Sequence, residues 1–325
     1  MKNSSITYIT FFIIMCFSNS YGQMINQGSL YISNNTEVSV YENIDNEESA
    51  ILNNNGQLHV FKNLENKGKV KFESTTLSGT TFLVGSQDQY ISGDGNYDLL
   101  DLEINNSSSA TFSISLESKL NIFGVTYFEE GRVNKLNEGL LNFQNSGESF
   151  DVKNNSYANN KAQKTGNNEF TFPIGNFREE KYLFRPLKIS APEKETDMFY
   201  AEYNWTETNT SFKHTNKDET LSIINPMEYW VLERKKGDSE VDLTLCWNEI
   251  TTPSIFLDEI ENMVIVRWNG DKWINEGGII DTETKEIKTK ISGFGVFTFG
   301  LLNSKTKESI VDIKKITNSF SPNND

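Results

Sequence analysis

Side chains that could carry out catalysis are few in this chain. The only histidines are His59 and His214, and no Gly-x-Ser-x-Gly segment is present to form the nucleophile elbow of a serine hydrolase. Cys246 stands beside Trp247 in an apolar run, where a cysteine is most often a small buried hydrophobe. A Ser-His-Asp triad assembled from distant parts of the chain stays open. The residue inventory does not favour nucleophilic catalysis.

Acidic residues are numerous, with 45 Asp and Glu against 30 Lys and Arg. The enzymatic alternative is therefore a glycosidase or uronic-acid lyase, which would gather a pair of carboxylates, or calcium-bound carboxylates with Arg or Lys, on one face. In this sequence the acids are scattered among Asn and Ser, and adjacent pairs such as Glu129-Glu130 would point to opposite faces of a strand. We predict no catalytic residues and a non-enzymatic protein.

One compact cluster of oxygen ligands occurs at residues 93–98, Gly-Asp-Gly-Asn-Tyr-Asp. Calcium prefers carboxylate and carbonyl oxygens, so Asp94 and Asp98 are the candidate metal ligands. The rest of a calcium-binding loop is missing from this segment, and a plain turn is the favoured explanation. Cys246 is the only cysteine after residue 22, so neither an intrachain disulfide nor a zinc site made of cysteines can form. No cofactor other than calcium is expected.

Tryptophan is concentrated in the second half of the chain, and aromatic faces are common platforms for sugars. Trp268 and Trp273 flank residues 269–272, Asn-Gly-Asp-Lys, and are the two residues that we predict to form a ligand-binding surface patch. The alternative is a cross-strand aromatic pair, which stabilises a hairpin with no ligand present. Trp230 and Trp247 lie in apolar runs, so we expect them to be buried.

The first 22 residues have the pattern of a signal peptide. A short positive region precedes the apolar residues 6–17, and small residues at Ser20 and Gly22 predict cleavage between Gly22 and Gln23. The apolar run has 12 residues, whereas a membrane-spanning helix needs about 20, and no later stretch approaches that length. Cys16 lacks the small residue expected just ahead of a lipidated cysteine. We predict an exported chain with no transmembrane segment after cleavage.

The balance of charge restricts the possible partners. The formal net charge is −15 at pH 7. A negative surface repels the phosphates of nucleic acids and the headgroups of anionic lipids, so we expect no nucleic-acid partner. The excess of acids is typical of the solvated surface of a secreted bacterial protein.

Residues 23–166 are rich in Asn, Ser and Gly and contain short alternating apolar runs. Four runs follow a glycine, which is typical of a tight turn entering a brief strand: Gly28, Gly56, Gly68 and Gly139. Strands this short must pair as hairpins in a sandwich or stack as coils of a solenoid. Asn-rich turns tolerate the left-handed backbone of coil corners. We predict a right-handed parallel β-solenoid, with a two-sheet sandwich as the alternative.

Residues 167–303 are predicted to form an antiparallel β-sandwich, which makes the fold class all-β. Residues 241–247 alternate apolar and polar side chains, as a strand with one buried face does. Residues 264–268 and 273–274 flank an Asn-Gly turn, which is a strong signal for a hairpin. Strands at this spacing favour a sandwich of the immunoglobulin-like kind, with one short helix within residues 256–263.

Several segments resemble exported surface proteins of Bacteroidetes. Residues 170–175, Phe-Thr-Phe-Pro-Ile-Gly, and residues 184–190, Phe-Arg-Pro-Leu-Lys-Ile-Ser, resemble a motif that closes a Gly- and Asn-rich repeat region ahead of a β-domain. The resemblance extends through Glu-Tyr-Trp at residues 228–230 and the Gly- and Phe-rich residues 292–300. Residues 319–325, Ser-Phe-Ser-Pro-Asn-Asn-Asp, resemble the start of the gliding-motility-associated C-terminal domain of the same proteins.

The resemblance implies a destination rather than an activity. It implies delivery by type IX secretion machinery to the cell surface or the medium when the C-terminal domain is present. An independent domain of that kind needs on the order of a hundred residues, so we predict that residues 304–325 are a linker and the stub of that domain. A form truncated there is expected to stay in the periplasm.

These observations together predict a non-enzymatic secreted or cell-surface protein. Its role would be that of a structural or adhesive module associated with gliding motility or biofilm. The expected partners are the secretion machinery and extracellular polysaccharide or other surface proteins. The alternative is a β-helix protein that binds or degrades polysaccharide as a lyase or glycosidase does.

Overall fold

The computed structural model describes residues 23–303, where nearly every regular element is a β-strand. The predicted signal peptide, with Gly22, and the predicted linker at residues 304–325 lie outside the described residues. Gln23 is the first described residue, and its side-chain amide donates a hydrogen bond to the carboxylate of Asp45. Within residues 23–303, no helix has the length and apolar content to cross a membrane.

The first half of the described chain winds into a solenoid of about seven coils, each with three short strands. The strands of the first three coils are β1 (Met24–Asn26), β2 (Ser29–Ile32), β3 (Glu37–Val40), β4 (Ile44–Asn46), β5 (Ile51–Asn54), β6 (Gln57–Val60), β7 (Leu64–Asn66), β8 (Lys69–Lys71) and β9 (Thr80–Gly85). Those of the next three coils are β10 (Gln89–Ser92), β11 (Asn96–Leu99), β12 (Asp101–Asn106), β13 (Ile114–Leu116), β14 (Lys119–Ile122), β15 (Val125–Glu130), β16 (Val133–Lys135), β17 (Leu140–Phe143) and β18 (Glu148–Phe150). The seventh coil contains β19 (Ala158–Asn159), β20 (Lys161–Thr165) and β21 (Phe170–Phe172).

Strands at the same position in successive coils pair in parallel and form three sheets. We call them the first face (β1-β4-β7-β10-β13-β16-β19), the second face (β2-β5-β8-β11-β14-β17-β20) and the third face (β3-β6-β9-β12-β15-β18). On the first face Met24 aligns with Ile44 and Ile44 with Leu64, so the first two coils are 20 residues long. The prediction of a parallel β-solenoid is confirmed, and the two-sheet alternative for this region is excluded.

Alternation along each strand sends one set of side chains into the solenoid and the other set outward. The inward side chains of the second face form a stacked column in which no member is more than 2% exposed: Leu52, Val70, Tyr97, Leu120 and Leu141. Burial of such columns is the main source of stability, because a three-residue strand cannot hide an apolar face alone.

Asparagine side chains line the corner between the first and second faces. The Asn26 amide donates to Asn46, and the Asn46 amide donates to Asn66, each with 2.7 Å between nitrogen and oxygen. At later corners the side-chain oxygens of Asn54 and Asn106 accept backbone N–H groups two residues further on. Corner asparagines therefore satisfy groups that stacking would otherwise bury without a partner.

Three of the four glycines ahead of strands, Gly56, Gly68 and Gly139, are needed for close approach between coils. The bends that contain Gly28, Gly56 and Gly68 each join two strands through only two residues, as the predicted tight turns require, and none of the four glycines has a positive φ. A Cβ atom at Gly139 would lie 1.7 Å from the carbonyl oxygen of Leu116 in the preceding coil, and one at Gly56 or Gly68 would also meet backbone oxygens. Nothing lies within 4 Å of the same position at Gly28.

Gly139→Ala is expected to destabilise the solenoid, whereas Gly28→Ala leaves it nearly unchanged. The added methyl group at residue 139 forces the coil away from its neighbour, which costs about 1–3 kcal/mol or more in free energy of unfolding. Urea unfolding followed by circular dichroism measures both variants. Equal midpoints would contradict the close approach of these coils.

The chain beyond the seventh coil forms antiparallel strands that pack as a sandwich. They are β22 (Ile174–Arg178), β23 (Lys181–Phe184), β24 (Leu187–Ile189), β25 (Met198–Asn204), β26 (Leu221–Ile224), β27 (Tyr229–Lys236), β28 (Asp242–Cys246), β29 (Met263–Trp268), β30 (Trp273–Gly277), β31 (Ile279–Asp281), β32 (Glu286–Lys290) and β33 (Gly295–Leu302). One sheet has the order β21-β24-β28-β32-β31, and the other extends the second face as β20-β25-β27-β33-β29-β30, with β26 beside β33. The strands β22 and β23 extend the first face. The predicted order, a solenoid followed by an antiparallel sandwich, is confirmed.

The second face passes from the solenoid into the sandwich without a break. Strand β20 pairs in parallel with β17 on one side and antiparallel with β25 on the other. The predicted boundary between residues 166 and 167 lies between β20 and β21, inside the seventh coil. One cluster of buried apolar side chains extends from Ile32 in the solenoid to Leu301 in the sandwich, so the two parts share a core.

The hairpin predicted for the sandwich is confirmed, and the predicted short helix is present but begins at Ser254, ahead of the predicted residues 256–263. Strands β29 and β30 form an antiparallel hairpin with Trp268 opposite Trp273, and Gly270 in its turn has a φ of 103°. The short helix α1 (Ser254–Asp258) begins directly after Pro253 and is followed by a 3-10 turn, Ile260–Asn262.

Candidate functional site

The predicted calcium ligands lie on and beside β11. Asp94 is on the exposed turn before the strand, while the carboxylate of Asp98 accepts the side-chain amide of Asn121 at 2.9 Å. Asn121 accepts from Asn142, which accepts from Gln163, at 2.7 and 2.8 Å. Asp98 is therefore the terminal acceptor of an amide ladder, and its role as a calcium ligand with Asp94 stays a prediction. Among residues 23–303, no three His, Cys, Asp or Glu side chains are grouped to hold a metal ion.

Trp268 and Trp273 form the cross-strand pair, with ring centroids 5.7 Å apart and planes at 69°. The Trp273 side chain is fully buried, because Phe212 packs on it and the Phe212 carbonyl accepts its indole N–H at 3.3 Å. Together with Leu221 and Val266 it belongs to a second, smaller core, with Trp268 half-buried at its edge. The prediction of a surface patch is wrong for Trp273, which has no free face for a ligand.

The histidines lie in different parts of the fold, and His214 is held in a structural contact. Its Nε2 atom is 2.6 Å from the Thr208 hydroxyl, which itself donates to the carbonyl oxygen of Asn225 at 2.9 Å. Since a hydroxyl has one proton, Nε2 must be the donor toward Thr208. In this arrangement His214 cannot act as the base that activates the buried threonine. His59 lies on β6 and points out of the solenoid.

Cys246 is expected to react slowly with alkylating reagents in the folded protein. Burial and then the charge of Glu286 raise the pKa of its thiol to about 11. The thiolate, which is the reactive form, is then scarcer than in the unfolded chain by about 100-fold at pH 8. The experiment uses protein that begins at Gln23 and follows iodoacetamide labelling by intact-mass measurement over time. We expect labelling of the folded protein to be slower than labelling in urea by about 100-fold. Equal rates would contradict the burial of this thiol.

Two segments of the resemblance meet in a buried ion pair inside the sandwich. Arg185, between β23 and β24, donates two hydrogen bonds to the carboxylate of Glu228 at 3.0 and 2.8 Å, with side chains 2% and 0% exposed. Tyr203 donates to the same carboxylate, and Trp230 donates its indole N–H to the Arg185 carbonyl. Burial and then the charge of Glu228 raise the pKa of Tyr203 well above its usual range, so its hydroxyl stays a donor. The cluster ties β25 and β27 to the segment between β23 and β24.

The third face collects aromatic side chains that are distant in sequence. Its strand register places six outward residues side by side, which we call the third-face column: Ser39, His59, Phe82, Glu103, Tyr127 and Phe150. The rings of His59 and Phe82 stack with centroids 4.2 Å apart and planes at 3°, and those of Tyr127 and Phe150 meet edge to face at 5.9 Å. Phe150 is 62% exposed. Five spacings of about 4.8 Å make the column about 24 Å long.

Polar groups and a second aromatic stack flank the third-face column. On one side a row of polar residues runs across four strands: Glu37, Gln57, Thr80 and Asp101. These residues line a hollow of about 480 Å³, and a second hollow of about 370 Å³ lies beside Glu148 where the third face meets the sandwich. On the other side Tyr41 stacks on Phe61 at 4.3 Å, and Tyr41 is 65% exposed. The face therefore offers aromatic side chains and hydrogen-bonding groups along one straight surface.

Sequence reasoning missed the third-face column because the coils differ in length. Neighbouring members of the column are 20 to 24 residues apart, so no fixed period marks them. A signal is present within single strands, because Phe82 and Tyr127 each occupy the middle of a run whose neighbours are buried. Only the register shows that these positions are adjacent.

Comparisons of this chain with protein-family models, with curated proteins and with solved structures found no match. The site is therefore interpreted from its own geometry and charge. On those grounds the third face is the candidate functional site, since it is the surface that combines exposed rings with hydrogen-bonding groups.

Proposed function

We propose that this chain is a non-enzymatic, exported surface protein whose third face binds an extended polysaccharide, and that it serves as an adhesive module of a gliding or biofilm apparatus. The observation that carries the proposal is the third-face column. Aromatic side chains repeated along about 24 Å can pack against successive sugar rings of a polymer. Sites for compact ligands are concave and enclose them, whereas this surface is straight and open.

The polar row supplies the directional part of the recognition. The amide of Gln57 and the hydroxyl of Thr80 can donate to and accept from sugar hydroxyls, as can Asn105 on the far side of the column. Each contact is weak alone, and several contacts to one polymer raise the overall affinity by multivalency. Weak repeated contacts suit adhesion better than the tight enclosure of a single sugar.

The setting at the cell surface is supported by sequence patterns. The signal-peptide pattern of residues 1–22 favours export, and the segments at residues 170–175 and 184–190 resemble those of type IX secretion substrates. The partners would be that secretion machinery and an extracellular polysaccharide.

The alternative is a polysaccharide-degrading enzyme that uses carboxylates of the same face. Glu103, a member of the column, and Asp101, beside the column, both lie on β12. The Asp101 carboxylate accepts the backbone N–H of Val125 at 2.7 Å, which ties that oxygen to the strand register. This hydrogen bond favours a structural role for Asp101 over a catalytic role.

Retention and turnover on a panel of soluble polysaccharides test the proposal together. Affinity electrophoresis measures retention, and release of reducing ends or unsaturated products measures cleavage. We expect retention by at least one polysaccharide with no cleavage. Turnover that is abolished by Glu103→Gln would establish the enzymatic alternative. If no polysaccharide of the panel retains the protein, the binding proposal is contradicted.

A further inference from the structure

The third face differs from the second face in the sign of its charge. The six strands of the third face contain six acidic residues and neither Lys nor Arg: Glu37, Asp101, Glu103, Glu129, Glu130 and Glu148. The solenoid strands of the second face contain five lysines: Lys69, Lys71, Lys119, Lys161 and Lys164. The aromatic surface is therefore also an anionic surface.

Cations near the third face are already paired. Lys62, which follows β6, contacts Glu42 at 2.6 Å, and Lys153, which follows β18, contacts Asp151. In the described part of the chain, Glu129 and Glu130 are exposed and make no ion pair. Their negative charge is available to a ligand.

Resting on the proposed function, we infer that the polysaccharide bound by the third face carries free amino groups, and that uronate-rich or sulfated polymers are rejected. An ammonium group gains from two features of this surface at once. It is attracted to the rings of Phe82 and Tyr127 by cation–π interaction. It also pairs with Glu103, which lies between these two rings in the column.

Polyanions are repelled by the negative charge of the third face. Their carboxylates or sulfates would be placed against Glu37, Glu103 and Glu148 on a chain whose net charge is −15. Like charges across an interface suppress binding. A basic polypeptide is also cationic, but it presents no row of flat rings to stack on the third-face column.

Isothermal titration with matched oligosaccharides at low ionic strength tests the inference. The probes are a fully N-acetylated chitin hexamer, its fully deacetylated counterpart, a polyuronate hexamer and poly-lysine. We expect the deacetylated hexamer to bind at least about tenfold more tightly than the acetylated one, and the difference to shrink at high salt because exposed charges are screened.

Charge-neutral variants identify the surface. Glu103→Gln combined with Glu129→Gln should remove the preference for the amine, while affinity for the acetylated hexamer stays. The matched control is Glu138→Gln, an exposed acid on the turn between β16 and β17, which should change neither. Circular dichroism confirms that each variant is folded.

The outcomes separate the inference from the proposed function. If both hexamers bind equally, or the polyuronate binds as tightly, the amine preference is overturned while polysaccharide binding stands. If none of the oligosaccharides binds, the proposed function fails as well. If poly-lysine binds as tightly as the amine-bearing hexamer and Phe82→Ala leaves its affinity unchanged, the face is a site for basic polypeptides instead.

Discussion

Glu228→Gln is expected to lower the free energy of unfolding by about 3–5 kcal/mol. The substitution leaves the guanidinium of Arg185 buried at 2% exposure without an ionic partner. It also weakens the hydrogen bond that Tyr203 donates at 2.8 Å. Because the sandwich shares one apolar core with the solenoid, we expect the whole described fold to be destabilised. Urea unfolding, followed by tryptophan fluorescence for the sandwich and circular dichroism for all strands, measures the change.

Two further variants serve as controls for Glu228→Gln, one at an exposed ion pair and one that replaces the buried pair by apolar residues. Asp238→Asn, which removes the exposed ion pair with Lys194, should leave the unfolding midpoint unchanged. Arg185→Met combined with Glu228→Leu should recover part of the loss, since an apolar pair leaves no buried charge. A loss for Glu228→Gln no larger than that for Asp238→Asn would contradict the role of the buried pair.

Phe82→Ala combined with Tyr127→Ala is expected to weaken polysaccharide binding by about 30-fold. Each stacked ring contributes about 1 kcal/mol, so two contribute about 2 kcal/mol. Both side chains are outward and partly exposed, so we expect the fold to keep most of its stability when they are removed. The measurement is titration calorimetry with an oligosaccharide that the protein retains.

The matched control for this pair is Tyr90→Ala. Tyr90 is an outward aromatic residue that is 43% exposed, but it lies on the first face. Its removal should leave affinity unchanged. An equal loss of binding in Tyr90→Ala, or full binding in the double variant, would place the ligand elsewhere on the protein.

The solenoid could be predicted because its causes are local. Short alternating runs specify strands, and asparagines such as Asn54 and Asn106 specify corners through hydrogen bonds to backbone two residues away. The reason for the glycines could not be predicted in the same way. Gly139 is required by the Leu116 carbonyl of the preceding coil, and the sequence does not say which residues stack.

The candidate site depends on contacts between residues distant in the sequence, so the sequence patterns could not predict it. Trp268 and Trp273 were correctly expected to oppose each other, but the burial of Trp273 depends on Phe212, a residue 61 positions away in the sequence. In the same way Phe82, Glu103 and Tyr127 become neighbours only through the strand register. Unequal coil lengths hide that register from a search for repeats.

The location of a bound oligosaccharide decides whether the third face is the binding surface. A crystal structure of the protein with a retained hexasaccharide should show successive sugar rings along the third face, in contact with Phe82, Tyr127 and Phe150. All five tryptophans lie outside β1 to β21, so binding there should also leave tryptophan fluorescence unchanged. Sugar bound at Trp268, or on the first or second face with the third-face column empty, would contradict the account.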